Sequence, residues 1–312
     1  MRILVTGGAG FIGSHVVDAF LADGHEVAIL DNLSTGFERN LAAGARFYHA
    51  DLVQDADVQR VFADFEPEIV SHHAAQIDVR RSVLDPLHDA SVNILGSLHL
   101  LQAAAQHGTR KVIYASTGGA VYGEPRVLPV DESHPVQPES PYGVSKHTVE
   151  HYLHLYRRLE GVDFTVLRYP NVFGPRQNPH GEAGVNAIFI ARMCEGKAPV
   201  IFGDGEQVRD YLYVGDAAAA NRLTMDKGSG EIVNLGWGRP ISVNHIFRTL
   251  RDILDFSGEP RHEPKRAGEV EKITLAAGRA AEVLGWRPQV SFEEGLARTV
   301  AWYREVEGAR AR

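Results

Sequence analysis

Tyr142 and Lys146 stand four residues apart in Pro141-Tyr142-Gly143-Val144-Ser145-Lys146, a stretch that opens a helix. That spacing puts a phenol and an ammonium on one helix face. A free phenol ionises near about pH 10 and is a poor base at neutrality. A neighbouring ammonium favours the phenolate, as does any second positive charge, and together they bring it toward the range of a general base. Such a group can take a hydroxyl proton while the carbon beneath gives up hydride. After an apolar strand ending at Ala115, Ser116 and Thr117 lead into Gly118-Gly119. Small hydroxyls there can hydrogen-bond the reacting oxygen.

A hydride needs an acceptor, and the first stretch of the chain supplies a place for one. Ile3, Leu4 and Val5 enter a glycine turn, Gly7-x-x-Gly10-x-x-Gly13, which continues as an amphipathic helix carrying Phe11, Ile12, Val16, Val17 and Phe20. One glycine lets the chain reverse, one lets the backbone approach a pyrophosphate, and one lets the helix close against the strand. Free N–H groups at the helix start then face phosphate. A second apolar run, Val27 to Leu30, ends in Asp31, which is 31 − 13 = 18 residues past the last glycine. An acid at that distance accepts from the 2′- and 3′-hydroxyls of an adenosine ribose and repels a 2′-phosphate, which favours NAD over NADP.

At 312 residues the chain can bury a full core, and its 44% apolar and 23% charged residues are those of an ordinary globular protein. No run of about twenty apolar residues exists to span a membrane, and the opening apolar run breaks too soon into glycines to read as a signal peptide. A net charge of −8 and the lack of a basic run with interleaved aromatics argue against nucleic acid. The single cysteine, Cys194, excludes an internal disulfide and fits a reducing cytoplasm.

Strand patterns recur near 46–49, 68–71, 111–115 and 163–168, with helical patterns at 55–64, 85–107 and 141–160. This alternation predicts an α/β fold, a Rossmann-type doubly wound parallel sheet with its ligand at the carboxyl ends of the strands. Residues 1–170 are expected to form the dinucleotide-binding lobe, with part of 205–235 returning to it, and 171–312 a smaller lobe that completes a cleft.

In order along the chain, TGGAGFIGSH, DNLSTG, Asp51-Leu52, HHAA, STGGAVYGE, PYGVSK, RYPNVFGP and RDYLYVGD resemble the extended short-chain dehydrogenase/reductases. Within that family they are similar to nucleotide-sugar 4-epimerases of the UDP-glucose (UDP-galactose) type. The resemblance implies cofactor contacts from Gly7, Gly10, Phe11, Ile12 and Gly13 at the pyrophosphate. Asp31 and the loop of Asn32, Ser34, Thr35 and Gly36 would meet the ribose, and Asp51 and Leu52 the adenine. Ala74, Ala75, Gln76 and Asn93 would follow the dinucleotide, with Tyr142, Lys146, Tyr169 and Pro170 at the nicotinamide end. It also implies a UDP-sugar site from Thr117, Asn171, Val200, Phe202, Arg209, Arg266 and Glu269. Guanidinium forks suit phosphate oxygens, and an acid suits ribose hydroxyls.

The activity so implied is NAD-dependent 4-epimerisation: Tyr142 removes the 4-hydroxyl proton, hydride leaves C4, and the 4-keto sugar turns before hydride returns to its other face. Two positions depart from the family pattern. Gly118 stands where a Ser or Thr is usual, leaving Thr117 or Ser116 to supply the hydroxyl, or Tyr142 to act on the sugar oxygen directly. Ile273 stands where relatives carry a tyrosine or a small residue that governs access by N-acetylated sugars. Acceptance of UDP-N-acetylhexosamines therefore stays open, as does UDP-glucuronate, whose carboxylate Arg80, Arg81 or Arg176 could meet. A 4,6-dehydratase would need Asp-Glu after Thr117, where this chain has Gly118-Gly119. A non-catalytic NAD-sensing protein could dispense with Tyr142 and Lys146. His147, His151 and His154 fall at helical spacing without an acidic partner at ligand spacing and read as solvated or subunit-facing surface, not a metal site. The same helix carries more apolar residues than one stripe requires, so it is expected to form a homodimer against its own copy.

Overall fold

The computed structural model describes residues 1–180, 184–265 and 271–310, with side chains to residue 306. Arg266 and Glu269 lie outside the described residues.

The N-terminal half alternates strand and helix as the pattern requires. Strands β1 (Arg2–Thr6), β2 (Glu26–Asp31), β3 (Arg46–His49) and β4 (Ile69–His72) are joined through helices α1 (Phe11–Ala22) and α2 (Asp55–Phe65). Beyond β4 come the short helices α3 (Val79–Leu84) and α4 (Pro86–Ala90), a single π-helical turn over Ser91–Leu95, and α5 (Gly96–Gln106). Then follow β5 (Lys111–Thr117), the long helix α6 (Pro141–Glu160) and β6 (Asp163–Tyr169). The inner strands β1, β2 and β4 are buried on both faces, so they read as apolar runs rich in Val, Ile and Leu. Their period of two still shows: Ile3 and Val5 pack on one face of the sheet with Val16, Val17 and Phe20, while Leu4 packs on the other with Phe62 and Leu100.

The second half follows a looser rhythm. Strands β7 (Asn171–Phe173), β8 (Val200–Phe202), β9 (Val208–Arg209) and β10 (Tyr211–Tyr213) are short, with α7 (Val185–Cys194) between the first two. Helix α8 (Val214–Thr224) packs against α1, and β11 (Glu231–Asn234) pairs with β6. The result is one seven-stranded parallel sheet in the order β11-β6-β5-β4-β1-β2-β3. Chain order reverses between β1 and β4, which opens a crevice at their carboxyl ends. Beyond it, β12 (Ile241–Ser242), α9 (Val243–Leu254), β13 (Arg261–Glu263), α10 (Gly278–Leu284) and α11 (Phe292–Arg310) complete the chain. A separate core of Phe173, Phe189, Ile246, Phe247, Phe292 and Leu296 holds α7, α9 and α11 together.

The glycine turn is as tight as its sequence demands. Gly7 has φ +68°, and a Cβ there would stand 2.7 Å from the Ala74 nitrogen. A Cβ on Gly13 would stand 2.2 Å from the Gly7 carbonyl oxygen, so only glycine lets α1 close against the turn. Gly13→Ala should therefore cost about 1–3 kcal/mol of stability, as overpacking does. Urea denaturation reads that loss, and calorimetric NAD titration should show weaker binding alongside it.

Candidate active site

Helix α6 begins where its local sequence can cap it. The Ser140 hydroxyl accepts from the Gly143 N–H at 3.2 Å, and Pro141 takes the first turn, where no N–H partner is needed. Tyr142 and Lys146 follow on the face turned toward the sheet, and Lys146 is 3% exposed. The Thr117 side chain, at the carboxyl end of β5, hydrogen-bonds the Tyr142 phenol. Lys146 Nζ lies 4.2 Å from the centroid of the Tyr114 ring, a cation–π contact that holds the ammonium on this face.

Burial dominates the electrostatics of the pair. It pushes the Tyr142 phenol up to about 12, the hydrogen bond with Thr117 pulling it back and the Asp89 carboxylate adding to the rise. Beside the ammonium by itself the phenol stays above the working range, because desolvation wins, and the second positive charge that the sequence reading calls for is needed as well. Burial also pulls Lys146 down to about 7, opposed by the carboxylates of Glu150 and Asp89.

Ser116 does not share the site with Thr117. Neighbours on a strand point to opposite faces, and the Ser116 hydroxyl donates to Glu150 Oε1 at 2.6 Å in a buried cluster. Glu150, one turn beyond Lys146, also accepts from Arg168 Nε at 3.0 Å and Nη2 at 2.5 Å, and it bonds His147 at 2.9 Å. Burial would raise this carboxyl, but the bonds from Arg168, His147 and Ser116 and the guanidinium charge hold it down at about 2. Arg168 continues the chain through Tyr122 to Asn234, both at 2.8 Å. The histidine reading is corrected here too, because His147 has an acidic partner in Glu150. Among the described residues no group of three His, Cys, Asp or Glu is placed to hold a metal ion.

Gly118 has a structural cause. A Cβ there would stand 2.3 Å from Leu275 Cδ1, in a cluster with Val121, Tyr122, Val130 and Ile273. Gly119 faces Thr117 Oγ1 and Asn171 Oδ1, each 3.8 Å from where its Cβ would be. Gly119 and Asn171 line a narrow crevice with Pro170, Asp210, Ile273 and Leu275. Asp210 secures its far wall, accepting the N–H groups of Trp237, Gly238 and Leu275 at 3.1, 2.9 and 3.1 Å. Burial raises its carboxyl to about 6 against those bonds, so it is ionised at neutral pH.

The dinucleotide residues gather at the carboxyl edge of β1, β2 and β4. Helix α1 starts at Gly10 with no side-chain cap and no acid in its first turn, leaving the backbone around Phe11 and Ile12 suited to an anion. Asp31 Oδ2 accepts from the Ala9 N–H and Oδ1 from the Leu33 N–H, tying the glycine turn to β2 while each oxygen keeps a lone pair for a hydroxyl. Asn32 donates to Asp51 Oδ2 at 3.0 Å, bringing the ribose and adenine candidates together.

Two residues face differently from their expected contacts. The Tyr169 ring stacks on His73 and its hydroxyl accepts from Asn221. Asn93 bonds Gln76, Asp89 and Ser145, an inward set of partners. Phe202 and Val200 flank the core residue Ile201 on β8, which pairs with β13. Arg209 Nη1 donates to the carbonyls of Val208 and Glu271. One polar residue escaped the sequence reading: Asn186, on the first turn of α7, is 2% exposed and its Oδ1 has no partner among the described residues.

A model of one family matches residues 3–236, three quarters of the chain. The chain belongs to the NAD dependent epimerase/dehydratase family. It is 46% identical over 310 residues to the UDP-glucose 4-epimerase of Mycolicibacterium smegmatis, covering 97% of this chain and 99% of that one. A crystal structure of the Thermotoga maritima UDP-glucose 4-epimerase with UDP-glucose is 49% identical, with a TM-score of 0.97 over 98% of this chain and all of that one. The Thermus thermophilus UDP-glucose 4-epimerase in complex with NAD is 45% identical, with a TM-score of 0.92 over 97% and 99% of the two chains. The uncapped α1 terminus and the cradle at Gly7 fit the dinucleotide that gives the family its name.

Removing Arg168 would leave Glu150 charged and buried. Arg168→Met should cost about 3–5 kcal/mol in urea denaturation at pH 7. Glu150 sits at about 2 in the fold against an ordinary value near 4.5. The pair's stability is therefore complete above about pH 5 and is lost as pH falls toward 2, and the variant should lose much of that acid dependence.

Proposed function

We propose that this protein interconverts the C4 epimers of a UDP-hexose, UDP-glucose and UDP-galactose being its substrates. The single observation that carries this reading is the grouping of half-buried Thr117 and Tyr142 with buried Lys146 at the carboxyl end of β5, beside the crevice lined by Gly119 and Asn171. Gly7, Gly10, Phe11, Ile12 and Gly13 would hold the NAD pyrophosphate, Asp31 its adenosine ribose, and Lys146 the nicotinamide ribose. NAD held there would supply the hydride acceptor and donor for C4 of the hexose, with return to the opposite face giving the epimer.

The remaining work belongs to the protein. Tyr142 accepts the 4-hydroxyl proton, and Thr117, bonded to the phenol, places the oxygen that loses it. A phenol near about 12 needs the positive nicotinamide as well as Lys146 to ionise, so proton removal is coupled to cofactor occupancy. Asn171, bonded to the buried Tyr211, and Arg209 fix the diphosphate so that the sugar can turn about it. Arg266, Glu269, Val200 and Phe202 complete the nucleotide end. Asn93 acts through Gln76, and Ser116 through Glu150.

Other products of a 4-keto sugar find less support. A dehydratase needs acids beside Thr117, where Gly118 is filled by Leu275 and Gly119 faces open crevice. Arg176, considered for a glucuronate carboxylate, pairs with Asp18 at 2.6 Å. Ile273, buried at the crevice, sets how much room an N-acetyl group finds.

We also propose a homodimer through α6. Val144, Leu155 and Leu159 on α6 and Leu84, Leu87 and Leu95 nearby are all more than 40% exposed, a larger apolar surface than a monomer usually presents. No described helix is long and apolar enough to cross a membrane.

Proton NMR of the anomeric region tests the activity. Incubation with UDP-galactose and NAD should produce UDP-glucose signals that grow to a steady ratio, and Tyr142→Phe should slow that growth by about 10²–10⁴-fold. Near-normal turnover in the variant defeats the reading. Light scattering at micromolar concentration should give twice the chain mass of 34.2 kDa. A monomeric mass defeats the dimer.

A further inference from the structure

Against the first turn of α6 lies a buried carboxylate that the proton and hydride transfers do not use. Asp89, in α4, is 1% exposed and lines one pocket with Pro141, Val144 and Ser145, where α4 meets α6. The helix then passes through its π turn, Ser91–Leu95, before resuming as α5. Such a turn departs from the regular hydrogen-bond ladder and is found most often where function requires it.

Here it accompanies a closed network. Asn93 Nδ2 donates to Asp89 Oδ1 at 3.1 Å, and Gln76 Nε2 donates to the same oxygen at 2.9 Å. Asn93 also exchanges bonds with the Gln76 backbone, accepting at 2.8 Å and donating at 3.0 Å. It reaches Ser145 Oγ at 3.1 Å, and that hydroxyl donates to the Tyr142 carbonyl at 3.0 Å. Asp89 thus joins the loop after β4 to the helix turn bearing Tyr142.

The charges around Lys146 come from four elements. From α6 come Tyr142 and Glu150; from β5, Tyr114; from the end of β4 and the residue after it, His72 and His73; from α4, Asp89. Burial holds both histidines neutral. Glu150 divides its charge between Arg168 and His147, while Asp89 accepts from two uncharged amides.

We propose that Asp89 is an electrostatic positioning residue, whose carboxylate, held by Gln76 and Asn93 against the start of α6, keeps the Lys146 ammonium charged and sets the ionisation of the Tyr142–Lys146 pair. The proposal rests on the catalytic roles given above to those two residues. It assigns Asp89 no contact with substrate or cofactor.

Asp89→Asn isolates the charge. Both amide donors use Oδ1, so an asparagine carbonyl can accept both bonds and only the negative charge is lost. The chain has six lysines, so protein labelled with ¹³C at lysine Cε gives few resonances, and the one absent from Lys146→Met belongs to Lys146. Its titration midpoint, which burial holds below the ordinary lysine range, should fall by roughly a further half unit or more in Asp89→Asn. Asp89→Ser, smaller and uncharged, provides the same comparison should the asparagine fail to fold. Both limbs of the kcat–pH profile should move to lower pH together, because the carboxylate favours the ammonium and opposes the phenolate. An unmoved Lys146 midpoint overturns the proposal, whatever the rate. The NMR titration requires no turnover, so an inactive parent protein would count against epimerisation and leave this test decisive.

Discussion

The buried ion pair between Arg168 and Glu150 is the constraint on which the site depends. Helix α6 carries the reactive side chains on two adjacent turns, but its cap and its apolar stripe fix only its position along the sheet. Rotation about its axis is fixed by Glu150, clamped through both oxygens by a guanidinium that rises from β6. The same guanidinium reaches Tyr122 and, through it, Asn234, so the loop after β5 and the outermost strand β11 share one reference point with the helix. A buried pair of this kind adds little net stability over an apolar packing of equal volume. Its value here is registry: it leaves Tyr142 one acceptable place, under Thr117.

Charge also explains how the site holds together when its ligands change. Lys146 is buried beside an aromatic face, two carboxylates and two neutral histidines, and those carboxylates offset the desolvation that would otherwise strip its proton. The phenol has only the Thr117 hydrogen bond to set against its burial, which holds it protonated. On the proposed roles, a positive nicotinamide would be needed before Tyr142 could take a proton, which would couple the base to the oxidant through ordinary electrostatics.

Much of this was legible in the residues because it is local. The glycine turn, the acid closing β2 and the Tyr-x-x-x-Lys pair each depend on spacing within one strand-turn-helix unit, and alternating strands and helices dictate a parallel sheet. What escaped depends on contacts between distant segments. Ser116 and Thr117 are chemically interchangeable in sequence, and only the pleat of β5 separates them. Gly118 reads as a missing hydroxyl until Leu275, from the far end of the chain, is found filling its space. Glu150 looks like a solvated helix acid because nothing nearby in sequence announces Arg168. Asn186 carries no motif of its own and is recognisable only by an oxygen left without a partner in the interior.

The most direct test of the central claim follows the hydrogen at C4. UDP-galactose labelled with deuterium at that carbon, converted in ordinary water, should yield UDP-glucose that retains the deuterium at C4, since the hydride leaves and returns within one site. Replacement of the label by solvent hydrogen would mean that C4 inverts through a proton exchanged with water, and the account built on Tyr142, Lys146 and a bound dinucleotide would be wrong.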